Sequence, residues 1–407
     1  MVAFPIVSNL FLFLIRRIVV VSLRWSGLSL AMEKPREETI AQNGTYIPYV
    51  DGLRGLAILG VVLVHTSQYA GNNAIGSFSS HTIESFVNAG ARGVQLFFIL
   101  SAFTLFVSSQ ANYLIGHLSA RAFYIRRFFR ILPLWWGAAI IYALAGGASF
   151  RQTAPTLLMY FGFMRHDPAY EVIQFGWSIF VEETFYLFLP VVFLTVTTWR
   201  RAVYFLLALI GLRFLWVLNA AEAGAPTGNN FISLFPLAHW YCFGLGIVLF
   251  HLLRDRRVLA AVEDRGNCHV LDISALFLVV CWLRLDLVYP ALSLVAVFVA
   301  AASPHTIIGR LCRVTLLRRY GAFCYSIYLF HGLILRAAHS VTPAYYELLG
   351  IAGGSVEIKF LALAAVILPT CYVVGHVSFV YIEKPCVLLG RKLALKVGPA
   401  QSPLALR

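Results

Sequence analysis

Ten stretches of mostly apolar residues recur along the chain, and they constrain its fold more than any other feature of the sequence. A helix needs about 20 predominantly apolar residues to cross the hydrocarbon core of a bilayer. The stretches lie at roughly 52–69, 91–109, 130–149, 177–198, 202–220, 233–253, 270–285, 288–303, 321–339 and 358–381. This pattern predicts an all-α polytopic membrane protein with about ten transmembrane helices.

The composition excludes the common alternatives to a membrane protein. Hydrophobic residues make up 60% of the chain and charged residues only 12%, whereas about 25% of the residues of a soluble domain are charged. A formal net charge of +14 can indicate nucleic-acid binding, but so apolar a chain is not a soluble nucleic-acid module. The seven cysteines show no metal-ligand spacing. We therefore expect no nucleic-acid partner and no metal.

The positive charges are distributed unevenly between the loops. Of the 32 lysines and arginines, 24 lie before the first apolar stretch, after the last one, or in alternate connecting loops. Lysine and arginine accumulate in the cytoplasmic loops of membrane proteins. The sequence therefore predicts that both termini are cytoplasmic, and that the membrane lipids are a partner of the protein.

The chain is predicted to divide into three parts. Residues 1–45 form a cytoplasmic N-terminal extension whose apolar sequence is interrupted by arginines. This extension is either an interfacial helix or a stretch that precedes a translation start at Met32. Residues 46–390 contain all ten apolar stretches, and residues 391–407 form a basic cytoplasmic tail.

The first span carries an arginine and a histidine on one helix face. Arg54 and His65 are eleven residues apart, so they differ by about 20° around the helix axis and by roughly 16 Å along it. Ionisable residues inside spans are costly and usually functional. The alternative interpretation is that Arg54 extends to the membrane surface and that His65 is a packed, hydrogen-bonded residue.

The fourth span contains a carboxylate within an otherwise apolar run that starts at Trp177. Ser178, Glu182 and Tyr186 follow at intervals of four residues, so they share one helix face. A buried carboxylate must pair with a cation, accept a proton or take part in chemistry. Glu182 is therefore a candidate functional residue, and a structural ion pair with an arginine is the alternative.

The ninth span contains Tyr328 and His331, and His331 lies about 16 Å from the cytoplasmic end of that span. This depth matches the depth expected for His65. We therefore predict that His65, Glu182 and His331 meet in one cavity.

The loop between the second and third spans is basic and aromatic. It carries Arg126, Arg127 and Arg130, with Arg126 and Arg130 on one helix face. Two roles are open at this point. The arginines anchor the helix to anionic lipids, or they bind the phosphates of a cytoplasmic cofactor through bidentate hydrogen bonds.

Taken together, these segments resemble the membrane acyltransferase-3 family. The resemblance rests on Tyr49 to His65, Gly93 to Phe103, Arg126 to Pro133, Trp177 to Tyr186, Tyr325 to His331 and Tyr381 to Pro385, in that order. It extends over about residues 46–390. Gln95 and Ala102 depart from the family pattern, in which aspartate and glycine are common at these positions.

The resemblance implies an integral-membrane O-acyltransferase of the cell inner or plasma membrane. Such an enzyme takes an acyl group, commonly acetyl, from cytoplasmic acyl-CoA. The implied acceptor is a hydroxyl of a cell-surface carbohydrate or a lipid-linked saccharide. A transporter of a small polar or glycan-related solute is the alternative function.

The residue chemistry suggests a role for each candidate. His65 suits a general base, and Glu182 suits a group that orients it or an alternative base. His331 suits a donor to the developing oxyanion or a residue that holds the acceptor. Arg54, Arg126, Arg127 and Arg130 are the expected ligands of the CoA phosphates, and Trp177, Ser178, Tyr186 and Tyr328 the expected substrate contacts. An acyl-histidine intermediate and direct transfer are both compatible with these residues.

Overall fold

A computed structural model of the protein describes residues 47–70, 78–114, 119–163, 172–222, 230–285 and 290–397. All regular elements within these ranges are helices, as predicted. The predicted N-terminal extension, Met32 included, and residues 398–407 of the predicted tail lie outside the described residues.

The longer helices are numbered here in chain order. They are α1 (Pro48–Ala70), α2 (His81–Ala89), α3 (Gly93–Leu114), α4 (Ala120–Gly146), α5 (Phe150–Leu157), α6 (Trp177–Tyr186), α7 (Leu189–Thr195), α8 (Trp199–Glu222), α9 (Asn230–Leu234), α10 (Trp240–Arg254), α11 (Arg256–Glu263), α12 (Cys268–Val280), α13 (Pro290–Ala302), α14 (Ile307–Cys312), α15 (Thr315–Ala322), α16 (Cys324–His339), α17 (Thr342–Leu348), α18 (Val356–Ser378) and α19 (Lys384–Lys396). A π-helical segment, Phe379–Glu383, joins α18 to α19.

The helices support a multi-pass architecture with fewer clear spans than the sequence predicts. Six continuous helical stretches are long and apolar enough to cross a bilayer, or up to eight if each of two bent helix pairs is one span. The sixth and eighth predicted spans form the shorter apolar helices α10 and α13. The count of ten spans and the orientation of the termini therefore stay predictions.

The fourth and ninth predicted spans are bent rather than straight. Helices α6 and α7 meet at 49°, and α15 and α16 meet at 77°. Pro190 stands at the start of α7, and its missing N–H interrupts the helical hydrogen bonds there. At the second bend, Gly321 lies so close to α1 that a Cβ atom would stand 1.8 Å from the Asp51 carbonyl oxygen.

Helix α1 lies at the centre of the bundle and contacts α3, α14, α15, α16 and α18. Its glycines permit backbone-to-backbone packing, because a Cβ atom at Gly52 or Gly55 would overlap the carbonyl of Cys312 or Leu317. Small residues at such contacts let helices approach closely in membranes. Helix α1 also packs against α16, which carries Tyr328 and His331.

Candidate active site

Three aromatic rings from three elements meet near the end of α1. The imidazole of His65 stacks on the ring of Phe175, with centroids 3.6 Å apart. The His331 ring, from α16, lies 5.3 Å from His65 and 5.2 Å from Phe175. The structure thus brings two of the three predicted catalytic residues together, and it adds a phenylalanine that the sequence did not single out.

The hydrogen bonds of the two histidines define which ring nitrogens are basic. Nδ1 of His331 lies 2.6 Å from the carbonyl oxygen of Tyr328, and Nδ1 of His65 lies 3.2 Å from Oε1 of Gln68. Both oxygens can only accept, so each neutral imidazole carries its proton on Nδ1. Each Nε2 atom therefore presents a lone pair, and the buried Nε2 of His331 has no hydrogen-bond partner among the described residues.

This arrangement disfavours one of the predicted roles of His331. A neutral His331 has already donated its only ring proton to the Tyr328 carbonyl. Its Nε2 atom can accept a proton or a hydrogen bond, but it cannot donate one to an oxyanion.

Two polar side chains link α6 to α16 beside the histidines. Ser178 donates to the Tyr328 hydroxyl (2.7 Å), which in turn donates to the Phe175 carbonyl (2.6 Å). The adjacent Trp177 packs against His239, with ring centroids 5.1 Å apart. Of the predicted substrate contacts, Tyr328 thus lies beside His331, with ring centroids 5.5 Å apart, Ser178 is bonded to Tyr328, and Trp177 packs against His239 instead.

Glu182 belongs to a different part of the site. It lies one helical turn beyond Ser178, among Tyr186, Arg127 and Arg130. Within the described ranges, no hydrogen bond joins Glu182 to either imidazole. The orienting position predicted for Glu182 is occupied by Gln68, three residues after His65 on the same helix.

Tyr186, the fourth predicted substrate contact, also lies in this second group. Its hydroxyl forms a hydrogen bond with Ser101, and the Arg127 guanidinium lies over its ring at 5.8 Å. Nε of Arg127 and one carboxylate oxygen of Glu183 are buried without partners in the described structure. Unpaired buried polar atoms are costly, so these atoms are candidates for contact with a ligand or water.

Arg130 is held by a carboxylate from the far end of the chain. Its guanidinium lies 3.4 Å from Glu383, and Glu383 also accepts a 2.7 Å hydrogen bond from Ser326. Glu383 is only 1% exposed. It is the last residue of the π-helical segment, and π-helical segments are frequent at functional sites. The sequence singled out the stretch around Glu383 as part of the family pattern, but not as the partner of Arg130.

Arg54 lies at the same end of the bundle as Arg130. It pairs with Asp51 at 2.9 Å and donates to Thr104 at 3.1 Å. Its side chain is 25% exposed and that of Arg130 is 33% exposed. Arg126 lies close enough to Arg391 of α19 for the two positive charges to interact.

The ion pair between Arg130 and Glu383 generates a stability prediction. Arg130→Ala leaves the buried Glu383 carboxylate without its cation, and we expect a loss of about 2 kcal/mol in the free energy of unfolding. This is less than for a fully buried pair, because a third of the Arg130 side chain is exposed. Adding Glu383→Gln removes the unpaired charge, so the double variant should recover part of the loss.

Thermal unfolding of the detergent-solubilised protein measures both changes. Arg121→Ala, an exposed position on the same helix, serves as the matched control and should change little. A double variant less stable than Arg130→Ala alone would contradict the ion pair.

Comparison with known proteins assigns the chain to one family. Residues 47–376 match the sequence profile of the acyltransferase domain family named acyltransferase-3. The acyltransferase MdmB of Streptomyces mycarofaciens is 27% identical over 398 residues, which cover 87% of this chain and 95% of that protein. The peptidoglycan O-acetyltransferase OatA of Listeria monocytogenes is 23% identical over 391 residues, which cover 86% of this chain and 57% of that protein.

The match in length differs between these relatives. Proteins of Staphylococcus aureus named for O-acetyltransferase activity, such as that of strain COL, are 24% identical over 76% of this chain, which spans 54% of their length. The chain therefore spans about half the length of several curated relatives that it matches, and nearly the whole of MdmB. No solved structure matches the chain significantly.

Proposed function

Because the chain belongs to the acyltransferase-3 family, we propose that it is an acyltransferase that transfers an acetyl group from acyl-CoA to a carbohydrate hydroxyl. The observation that carries this proposal is the pair of adjacent histidines whose Nδ1 protons are both bound to oxygen acceptors. Such a pair offers two lone pairs to a hydroxyl proton, which is the first requirement for making an alcohol nucleophilic.

The proposed reaction uses His65 as the general base. Its Nε2 atom takes the proton of the acceptor hydroxyl as the hydroxyl oxygen forms a bond to the thioester carbonyl carbon. The carbon–sulfur bond then breaks, and the CoA thiolate takes the proton from the His65 imidazolium. His331 Nε2 accepts a hydrogen bond from the imidazolium or from the acceptor, and Gln68 keeps the base in the correct tautomer.

The donor is proposed to enter from the arginine end of the bundle. Arg54 lies about 16 Å along α1 from His65, and it shares the surroundings of Glu182 with Arg127 and Arg130 of α4. Guanidinium groups bind phosphate through paired hydrogen bonds. With the phosphates of CoA at these arginines, the pantetheine arm would extend along α1 and present the thioester to the histidines. Tyr186 and Glu182 then contact the donor rather than the acceptor, and Arg126 contributes to the mouth of the site or to lipid contact.

The acceptor is proposed to approach beside Trp177, Ser178 and Tyr328. Aromatic faces pack well against the apolar faces of sugar rings, and the two hydroxyl groups supply hydrogen bonds for orientation. The name of the Listeria relative refers to peptidoglycan, which supports a carbohydrate as the acceptor class here. A lipid-linked saccharide presents the same hydroxyl chemistry at the membrane.

Two experiments test the proposal. The first follows transfer from radiolabelled acetyl-CoA by the purified protein in liposomes. The second compares envelope glycans from cells with and without the gene by mass spectrometry. We expect an acetylated glycan that requires the gene. His65→Ala should abolish its formation, because a general base contributes about 10²–10⁴-fold to the rate. His269→Ala, an exposed histidine on α12, is the matched control. Solute uptake by liposomes without acetyl-CoA would instead support the transporter alternative.

Gln68 generates a second prediction. Gln68→Leu removes the acceptor for the Nδ1 proton of His65. The imidazole is then no longer held in the tautomer that has its lone pair on Nε2, and we expect kcat to fall roughly tenfold or more. The KM for acetyl-CoA should change little, because Gln68 is distant from the arginines. Gln110→Leu, a glutamine on α3 that accepts from Arg254, provides the control. An unaltered kcat in Gln68→Leu would rule out the orienting role.

Arg54 generates a third prediction, on the donor. Arg54→Ala removes a guanidinium from the proposed phosphate site, and we expect weaker binding of acetyl-CoA by about tenfold, since a charge-assisted hydrogen bond contributes about 1.5–3 kcal/mol. Isothermal titration with CoA in detergent measures the change. Arg151→Ala, an exposed arginine at the start of α5, should bind CoA as the wild type does. Equal affinities of wild type and Arg54→Ala would reject the phosphate role.

A further inference from the structure

Phe175 has a backbone conformation that is rare for a bulky residue. Its φ angle is +69°, in the left-handed region that residues with a large side chain disfavour. The surrounding structure holds it there. The Tyr328 hydroxyl donates to the Phe175 carbonyl, and the neighbouring Gln174 donates to the Tyr69 hydroxyl at 3.1 Å.

This conformation places the Phe175 ring over both histidines. The ring is nearly parallel to His65, with an interplanar angle of 22°, and to His331, with an angle of 20°. His331 is fully buried, although its Nε2 atom has no partner among the described residues. The ring of Phe175 thus covers one face of the His65 imidazole and is part of the surroundings that bury His331.

We propose that Phe175 is a specificity-determining residue, which shields the histidine pair from water and is displaced by the carbohydrate acceptor. The inference rests on the proposed function and extends it to the choice between two competing nucleophiles. Water carries the same O–H group as a sugar and is far more abundant. An unshielded base beside a thioester would therefore activate water as readily as the acceptor.

The competing reaction has a simple balance. A water oxygen would form a bond to the thioester carbonyl carbon while His65 Nε2 takes its proton. The carbon–sulfur bond would break, the thiolate would take the proton back, and the products would be acetic acid and the CoA thiol. A covered imidazole disfavours this reaction until a ligand with a larger contact surface than water displaces the ring.

The backbone of Phe175 makes such a displacement feasible. Rotation out of the left-handed region relieves the steric conflict between the Phe175 side chain and its own backbone. This release partly offsets the loss of ring stacking. The sugar ring of the acceptor can then occupy the space over His65 that the phenyl ring leaves.

The first test measures hydrolysis of acetyl-CoA by the purified protein with water as the sole acceptor. Phe175→Ala removes the ring. We expect the rate of hydrolysis to rise about tenfold, because this factor corresponds to the free energy of one aromatic contact. Phe175→Gly removes the ring and also the backbone strain, and it should behave in the same way. Phe86→Ala, a phenylalanine that is 69% exposed on α2, is the matched control. Hydrolysis that stays constant or falls in both Phe175 variants would overturn the proposal.

The second test does not depend on catalysis. Diethyl pyrocarbonate modifies accessible imidazoles, and peptide mapping by mass spectrometry reports the rate at each histidine. We expect faster modification of His65 and His331 in Phe175→Ala, with exposed His81 unchanged as the internal reference. Equal rates in wild type and variant would overturn the shielding role.

The two tests also separate the inference from the function on which it rests. Should the wild-type protein neither transfer nor hydrolyse the acetyl group of acetyl-CoA, the proposed function fails, while the modification rates still decide whether Phe175 covers the histidines. Should the variant fail to fold, Phe175→Leu retains an apolar cover of smaller area and should give an intermediate modification rate. If Phe175→Leu and Phe175→Gly are both modified at the wild-type rate, the proposal is wrong.

Discussion

Close backbone packing around helix α1 is the constraint on which the rest of the site depends. Glycines at the contacts with α14 and α15 bring the helix backbones together without intervening side chains. This packing fixes the rotation of α1 about its own axis, because any turn would drive a backbone carbonyl into a neighbouring helix. Arg54 and His65, which share one face of α1, are therefore both directed into the bundle, one at each end of the site.

The candidate site consists of two polar groups at different depths in an apolar bundle. One group contains His65, His331 and their hydrogen-bonding partners, and the other contains the guanidinium and carboxylate groups around Arg130. Within the described residues, several buried atoms of both groups lack partners, among them Nε2 of His331 and Nε of Arg127. A folded protein retains such atoms at a cost in stability. Their presence in two separate groups agrees with the proposed two-substrate transfer, in which each substrate completes one group.

In the proposed reaction, the base His65 has no acidic partner. The Ser-His-Asp arrangement uses a carboxylate to hold the imidazole, whereas here a neutral amide, Gln68, takes that position. A neutral amide fixes the tautomer and stabilises the imidazolium less than a carboxylate does.

The sequence by itself determined the class of the protein and the candidate residues. The apolar stretches predicted an all-helical fold, and the spacing of Arg54 and His65 predicted a shared face, because helical periodicity is a local property. The order of six segments identified the family, which residues 47–376 confirm. Only the tertiary structure decided which residues touch: Gln68 rather than Glu182 at His65, Glu383 at Arg130, and Phe175 over both histidines. The Glu383 and Phe175 contacts depend on bends, a π-helical segment and a left-handed residue that arise from packing between distant parts of the chain, and no local pattern specifies them. Gln68 stands three residues after His65, a spacing that helical periodicity already places on one face, but only the structure shows Gln68 rather than Glu182 beside the imidazole.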